Sequence, residues 1–455
     1  MSTTNRYGKS SREPQISLEY SQPAVSPTNY GYSIVRFLVV RKSHSEMEIK
    51  MSFRNLTIGI ILVSVTTMNS AFSQTNRNFG QDVQFLREHL ETIVLSAGDA
   101  RVAVVPAYQG RVMTSSLAGD DGLSFGWINY ELIASGQIVP HMNAFGGEDR
   151  FWIGPEGGQF SVFFPGGKPF EFDYWQTPPL IDSEPYDVVE KTPEAVKFGK
   201  VGHLVNYSGT QFDFEIERNI RLLDPAAAAK HLGVDLSGVK MVSYQSENTI
   251  RNTGKLGWTQ ENGLLSIWIL SMYNPSPKTT VVVPFEKGPE DKLGPIVNDA
   301  YFGKIPADRL VVKNGVIFFS ADGKQRGKIG LSPNRAKPAL GSYDAQHNVL
   351  TIVQYTKPAG AIDYVNSMWK LQDDPFGGDT VNSYNDGPVA PSGKPLGPFY
   401  ELETSSPAAA LAPGESITHV HRSFHFQGDR QKLDVIAQAV LGVTIEEIEN
   451  GLKHD

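Results

Sequence analysis

The sequence predicts a mainly β fold, with one large antiparallel domain and short helices at its ends. Residues 212–222 alternate apolar and charged or polar side chains, which is the pattern of a strand with one buried face. Asn314-Gly315 separates two apolar runs and predicts a tight hairpin. Helical patterns are scarce between residues 96 and 428, apart from a short one predicted near 226–232.

The two ends of this domain carry the predicted terminal helices. The opening helix rests on apolar residues at roughly helical spacing, namely Val83, Phe85, Leu86, Leu90 and Ile93. The chain closes on a predicted helical pair. Thr444 and Glu447 have the spacing of a capping box, so the last helix is expected to begin there.

The remaining strand signals lie in the second half of the chain. Asp322-Gly323 predicts a second turn after the hairpin, and residues 349–353 and 416–426 predict further strands. Residues 372–398 are rich in Gly, Pro and Asp, and predict one long loop. A loop of that length in a compact domain is usually functional or mobile.

The N-terminal region predicts export. Residues 56–66 are a strongly apolar run, preceded by Lys50 and Arg54 and followed by the small residues Ala71 and Ser73. This is the pattern of a secretory signal peptide, and the run is too short for a comfortable membrane span. The predicted division of the chain is an over-extended or disordered start at 1–46, a signal peptide at 47–73, and a single domain at 74–455.

Composition narrows the function classes. The 455 residues carry a formal net charge of −8, with no basic stripe, so a nucleic-acid partner is not expected. Cysteine is absent, which excludes disulfides and a lipid-attachment cysteine. The predicted location is therefore periplasmic or extracellular, without a membrane span. No cofactor is predicted.

Residues 141–164 are the most informative stretch for function. His141, Arg150 and Trp152 lie there among further aromatic, acidic and glycine residues. Aromatic faces can cover the C–H side of a sugar ring, while fixed charges hydrogen-bond its hydroxyl groups. The segment therefore predicts a carbohydrate ligand, although a glycine-rich loop anchored in the core by its aromatic residues would show the same composition.

Two C-terminal motifs resemble the galactose-mutarotase-like superfamily, which includes the aldose 1-epimerases. Glu403-Thr404 is similar to the strand that holds the catalytic base in that superfamily, and residues 411–415 are similar to the Leu-x-Pro-Gly-Glu turn that follows it. The resemblance implies a β-supersandwich fold and a role for Glu403 as the base.

Earlier segments resemble the same superfamily in the same order. They are Gly110-Arg111, the run Gly146-Gly147 to Arg150 and Gly158-x-Phe160, and residues 249–254. One departure concerns the mechanism. Aldose epimerases carry a histidine acid soon after the last of these segments, whereas residues 263–270 contain none. The closer resemblance is to an uncharacterised secreted bacterial branch, for which no activity is implied.

The candidate catalytic residues are Glu403 as the base and His141 or His421 as the acid. Glu401 lies two residues before Glu403, so both carboxylates are expected on one strand face. Paired carboxylates in a cleft can divide into an acid and a base because each raises the pKa of the other. Two solvated charges at a strand edge are the alternative.

His419 and His421 have the spacing of two neighbours on one strand face. That spacing suits a two-histidine metal site, which Glu403, His141 or His203 would have to complete. Histidines that are hydrogen-bonded in a polar cleft explain the spacing equally simply, and no metal is assigned.

Three functions remain open from the sequence. The first is a secreted enzyme that acts on a sugar or oligosaccharide as an epimerase, lyase or hydrolase. The second is a sugar-binding protein without catalysis, and the third is a metal-dependent enzyme that uses the histidine pair. The predicted ligand-binding residues are Arg111, Arg150, Trp152, Glu401 and His419.

Overall fold

The sheets are antiparallel throughout the part of the chain that the computed structural model describes, residues 77–388 and 393–453. The predicted signal peptide and the segment before it lie outside the described residues. Within those residues, strands greatly outnumber helices, so the predicted mainly β fold is confirmed.

Three sheets contain the eighteen strands. The three-stranded sheet has the order β1 (Ile93–Ala97), β2 (Ala100–Val105), β3 (Arg111–Ser116). The ten-stranded sheet has the order β11 (Leu310–Lys313), β12 (Val316–Ser320), β10 (Thr279–Pro284), β14 (Ala339–Asp344), β15 (Val349–Tyr355), β18 (Ser416–Gln427), β8 (Lys240–Asn252), β7 (Gln211–Leu222), β6 (Ala195–Val205), β5 (Asp187–Lys191). The five-stranded sheet has the order β13 (Gly327–Leu331), β16 (Val381–Asn385), β17 (Tyr400–Ser405), β9 (Ser266–Tyr273), β4 (Arg150–Gly154).

The short helices among the described residues lie mostly between strands and at the C-terminus. They are α1 (Phe79–His89), α2 (Tyr130–Ser135), α3 (Pro179–Asp182), α4 (Pro225–Leu232), α5 (Glu290–Leu293), α6 (Arg430–Leu441) and α7 (Ile445–Asn450). The predicted capping box is confirmed, because the Thr444 side chain accepts a hydrogen bond from the backbone of Glu447 and the Glu447 side chain accepts one from the backbone of Thr444.

The strongest strand predictions are confirmed in detail. Strand β7 alternates exposed and buried residues from end to end. Asn314 and Gly315 join β11 to β12 with φ values of 57° and 89°, as a two-residue hairpin requires. The predicted short helix near 226–232 is α4.

Two boundaries differ from the prediction. Helix α1 ends at His89, since Leu90 is extended, and Ile93 begins β1 instead of extending the helical stripe. The predicted long loop at 372–398 contains β16, whose five residues are all buried. A strand that is buried on both faces lacks the alternation by which strands are recognised in a sequence.

The packing of the sheets decides which surface is available for a site. One face of the ten-stranded sheet packs against α4, α6 and α7 through a hydrophobic cluster that includes Phe424, Phe426 and Leu433. Its other face packs against the five-stranded sheet, where Leu402 and Tyr400 join a second cluster. The outer face of the five-stranded sheet is therefore the surface available for a site, and loops cover it.

No helix among the described residues is long and apolar enough to cross a membrane.

Candidate functional site

The outer face of the five-stranded sheet holds a buried ion pair. Glu403 on β17 accepts hydrogen bonds at Oε2 from Lys328 Nζ on β13 (2.9 Å) and from Trp268 Nε1 on β9 (3.0 Å). The Glu403 side chain is fully buried, and that of Lys328 is 10% exposed. The other carboxylate oxygen, Oε1, has no hydrogen-bond partner among the described residues. This carboxylate therefore has one fixed oxygen and one free acceptor.

A narrow cleft opens beside this pair. Its interior measures about 10 Å³, room for about one water molecule, so a larger ligand would lie at its mouth. The lining combines an indole, a phenol, an ammonium group, a carboxylate, an amide and hydroxyls, contributed by Gly154, Ser266, Trp268, Tyr301, Lys328, Val365, Ser367, Asp379, Asn382 and Ser405. Lys328 Nζ lies 4.8 Å from the ring centroid of Trp268 and 5.4 Å from that of Tyr301. A small number of convergent polar groups beside aromatic walls is typical of the lining of a small-molecule site.

A hydrogen-bonded cluster forms one wall of the cleft. Asp379 Oδ2 accepts from Tyr301 Oη (2.6 Å) and from Asn298 Nδ2 (3.0 Å), while Tyr301 Oη accepts from Asn382 Nδ2 (3.1 Å). Burial raises the pKa of Asp379, against the lowering effect of these hydrogen bonds. A side chain at Gly330 would put a Cβ 2.1 Å from the Asp379 carboxylate, so this glycine makes room for the cluster.

A second carboxyl group lies close to the ion pair. Glu156 follows β4, and its backbone N–H donates to Ser367 Oγ at the cleft wall (3.2 Å). Burial raises the pKa of the Glu156 carboxyl, while the charge of Lys328 and a hydrogen bond from Trp369 act against that shift and the charge of Glu403 adds to it. Glu156 therefore keeps its proton to a higher pH than an ordinary glutamate.

Glu401 lies on the same face as Glu403, as the spacing predicts. Its Oε1 accepts from Arg150 NH2 (2.8 Å), and both side chains are buried. Burial raises the pKa of Glu401, Arg150 acts against this shift, and the charge of Glu403 adds to it. The Arg150 guanidinium lies 4.4 Å from the ring centroid of Trp152, which is only 3% exposed. Arg150, Trp152 and Glu401 thus form a packed neighbour of the cleft, and Trp152 offers no open face.

The histidine pair, on β18 of the ten-stranded sheet, packs against the opposite face of the five-stranded sheet. Thr404 Oγ1 is 2.9 Å from His419 Nε2 and 2.9 Å from His421 Nδ1, and His421 Nε2 is 3.1 Å from Ser271 Oγ. Successive side chains of a strand point to opposite faces, so Thr404 faces the ten-stranded sheet while Glu403 faces the cleft. The sheet therefore separates His419 and His421 from Glu403.

These two histidines predict a specific pH dependence of stability. Burial lowers the pKa of His419 to about 3, with His421 adding to the shift, and burial lowers that of His421 to about 4. An unfolded histidine takes up a proton below about pH 6.5. Between pH 6.5 and 4 the unfolded chain therefore binds protons that the folded chain cannot, and stability falls with pH at about 1.4 kcal/mol per unit for each histidine.

We expect His419→Gln to remove one of these two contributions. In urea unfolding, the free energy of the variant should fall by about 2 kcal/mol less than that of the wild type between pH 7.5 and 5. Buried carboxyls with raised pKa values have the opposite pH dependence, and comparing the two proteins cancels their effect. His203→Gln, at an exposed position on β6, is the control. Equal pH dependence in wild type and His419→Gln would contradict the buried neutral state of His419.

His141 and Arg111 lie away from the ion pair. The His141 ring nitrogen Nδ1 is 2.6 Å from the backbone oxygen of Trp175, and its ring packs on Phe172. Arg111 is 1% exposed and donates to the backbone oxygen of Gly146 (3.0 Å) and to Gln109 Oε1 (2.9 Å). Burial lowers the pKa of Arg111 to about 9. Within the described residues no hydrogen bond joins either side chain to Glu401 or Glu403.

Two acidic residues of the 141–164 segment, Glu148 and Asp149, point inward. Glu148 hydrogen-bonds with Ser115 and His425, and Asp149 Oδ1 accepts from Arg218 NH2 (2.6 Å) with both side chains fully buried. These contacts link β3, β4 and the ten-stranded sheet, so the two charges stabilise the packing of the core. Across residues 77–388 and 393–453, no group of three metal-ligating side chains is placed to hold an ion.

The sequence analysis missed several residues of the cleft. Lys328 lies in a short Gly-Lys-Ile-Gly-Leu strand, and Tyr301 and Asp379 lie in loops far from the recognised motifs. One feature of the sequence around Lys328 could have pointed to the ion pair. A lysine at the centre of an apolar strand is rarely buried unless it is paired.

Comparison with known protein families identifies the family of this chain. Residues 77–452 match the profile of a family described as a family of unknown function, DUF6786. The chain belongs to this family. The match covers nearly all of the described part of this DUF6786 protein. No curated protein matches its sequence.

Solved structures similar to this DUF6786 protein include galactose-mutarotase-like proteins, as the motif resemblance predicts. The Slr1438 protein from Synechocystis sp. PCC 6803 is 14% identical, with a TM-score of 0.45 over 74% of this chain and 96% of that one. A galactose mutarotase-like protein from Lactobacillus casei is 10% identical, with a TM-score of 0.42 over 74% and 100%. A galactose mutarotase related enzyme from Lactobacillus acidophilus is 9% identical, with a TM-score of 0.41 over 74% and 98%. Likeness at this level assigns no residue role.

Proposed function

We propose that this protein binds a sugar at the cleft beside Glu403 and acts on it by acid/base chemistry. The observation that carries the proposal is the buried Glu403 carboxylate, with one oxygen held by Lys328 and Trp268 and the other free of hydrogen bonds within the described residues. A buried acceptor without a partner is costly, and a ligand hydroxyl would satisfy it once the side chains that cover Oε1 move aside. The sequence resemblance gives the same residue the role of the base.

Three side chains have one role each in the proposed acid/base chemistry. Glu403 takes the proton from the sugar, because fixing one oxygen orients the other. Glu156 is the proposed proton donor, since burial raises its pKa and so favours the protonated form that a general acid requires. Lys328 is the less completely buried member of the ion pair, and its ammonium stabilises negative charge that develops on a sugar oxygen.

The positions of His141 and His421 determine which residue is proposed as the acid. Because the five-stranded sheet separates His421 from Glu403, and His141 bonds to the Trp175 backbone, neither is the proposed acid. Glu156 takes that role because it shares the electrostatic environment of Lys328 and Glu403. Arg150 and Glu401 hold the neighbouring part of the sheet in place.

Sugar binding without turnover is the second candidate. One observation favours it, namely that the Lys328–Glu403 ion pair is fully formed and occupies the carboxylate that would have to react. The proposal also includes secretion, which rests on the apolar run at 56–66 and its flanking residues.

Proton NMR of the full-length protein with a panel of neutral sugars and disaccharides tests the proposal. Faster exchange between anomers would show a mutarotase or epimerase, olefinic signals a lyase, and new reducing ends a hydrolase. Broadened sugar lines without chemical change would favour the binding protein. If no sugar of the panel shows either conversion or binding, the proposed function is wrong.

A further inference from the structure

Aromatic rings form a continuous row from the cleft to the protein surface. Trp268 in the cleft wall contacts Trp152 (5.5 Å between centroids), which contacts Phe163 (5.2 Å). Phe163 stacks on Trp175 with centroids 6.0 Å apart and planes 7° apart. Most of these rings are buried, so up to this point the row is part of the core.

Beyond Trp175 the row reaches solvent. Trp175 also stacks on Trp369 (5.7 Å between centroids, planes 29° apart) and on Phe172 (5.9 Å, 26°). Phe172 is 57% exposed, and Tyr174, in the same 3₁₀ turn, is 37% exposed. Single exposed apolar residues are ordinary, but exposed rings that continue a row leading out of a polar cleft mark a binding surface. We call Phe172, Tyr174, Trp175 and Trp369 the platform.

Two polar features connect the platform with the cleft. The Trp369 indole lies close enough to Glu156, the proposed acid, to lower the pKa of that carboxyl against the effect of burial. Trp175 is 6% exposed, and its Nε1 has no hydrogen-bond partner among the described residues. A buried indole N–H usually finds an acceptor, and a ligand hydroxyl beside the platform would provide one.

The charge of the surrounding segments limits the ligand class. Residues 168–174 and 370–374 carry the carboxylates of Glu171, Asp173, Asp373 and Asp374 against the ammonium groups of Lys168 and Lys370. A polymer of uronic acids would meet net negative charge here. A neutral chain would meet ring faces and scattered hydrogen-bonding groups.

We propose that the platform binds further units of a neutral oligosaccharide whose terminal sugar lies at the mouth of the cleft. This inference rests on the proposed function of the cleft and extends it from a sugar to a glycan chain. Pyranose rings have apolar C–H faces, and an exposed aromatic ring such as Phe172 covers one at little entropic cost. His141 packs under Phe172 and holds it in place, which gives that loop histidine a positioning role.

Calorimetric titration of the full-length protein with oligosaccharides of increasing length tests the platform. The probes are glucose and the β-1,4-, α-1,4- and β-1,3-linked gluco-oligosaccharides of two to six units, with galacturonate oligomers as the charged comparison. We expect affinity to rise at least tenfold with length for one neutral linkage. We expect Phe172→Ala to reduce that gain roughly 5- to 10-fold without affecting binding of the shortest ligand, and Phe172→Tyr to restore it.

Leu256→Ala is the matched control, because Leu256 is 81% exposed in a loop outside the platform. Affinity that is independent of length, or a gain that Phe172→Ala leaves intact, would overturn the platform while the proposed function of the cleft stands. Preference for galacturonate oligomers would overturn the neutral class. If no neutral sugar of any length binds, the proposed function falls together with the platform.

Discussion

Glutamine in place of Glu403 is expected to lower the rate of sugar conversion by about 10²- to 10⁴-fold. The amide can still accept hydrogen bonds from Lys328 and Trp268 at its oxygen, so the local geometry is largely kept. It cannot take up a proton, which removes the base. The rate is measured by proton NMR on whichever panel sugar the wild type converts, and sugar affinity should change far less than the rate.

Glu190→Gln controls for the loss of one carboxylate. Glu190 is also a strand residue, but every residue of its strand, β5, is exposed. This variant should convert sugar at the wild-type rate. Undiminished turnover by a correctly folded Glu403→Gln protein would show that Glu403 is not the base, whatever the role of the cleft in binding.

Methionine in place of Lys328 is expected to destabilise the fold by about 3–5 kcal/mol. Methionine fills similar space but leaves the fully buried Glu403 carboxylate with the Trp268 indole as its remaining donor. A buried charge without a counter-charge is among the costliest defects of a protein interior. Urea unfolding of the variant and the wild type at neutral pH measures this difference in free energy.

The double variant Lys328→Met with Glu403→Gln separates the ion pair from side-chain packing. With no buried charge left, most of the lost free energy should return. Lys324→Met, at an exposed position just before β13, should have little effect. The free energy of unfolding lost by the double variant is compared with the sum of the losses of the two single variants. If the two are equal, the charges of Lys328 and Glu403 are not coupled as the structure implies.

The sequence predicted those parts of the fold whose patterns are local. Strand β7 has one face toward the core and one toward solvent, so its alternation is legible. The Asn314-Gly315 hairpin and the cap at Thr444 depend on backbone geometry that few residue types adopt. Strand β16 escaped notice because burial on both faces removes the pattern.

The site was predictable only in part, for a topological reason. Spacing along one strand places Glu401 and Glu403 on a common face, and the structure agrees. Spacing cannot say which face of a sheet a neighbouring sheet covers. The histidines of β18 therefore looked like partners of Glu403, although they face Thr404 from the interior. Lys328 and Glu156 could not be linked to Glu403 because pairing between distant strands and loops brings them together.

Buried charges of the core have the same residue types as charges that bind a ligand. Arg111 and Asp149 have the residue types of a sugar site, yet each is buried, and Arg111 bonds to a backbone oxygen while Asp149 pairs with Arg218. Such groups fix how sheets pack, and a sequence does not distinguish them from ligand-binding charges. The glycines beside Arg111 have the same structural origin, since a Cβ at Gly147 would lie 2.6 Å from the Arg111 side chain.

The most direct test of the central claim is a crystal structure of the Glu403→Gln variant soaked with a sugar that the NMR panel identifies. The account predicts a sugar ring at the mouth of the cleft, with one oxygen within hydrogen-bond distance of the side chain at position 403 and another near Lys328 Nζ, and further rings of a longer chain against Phe172. A sugar bound elsewhere, with the cleft filled only by solvent at saturating concentration, would contradict it.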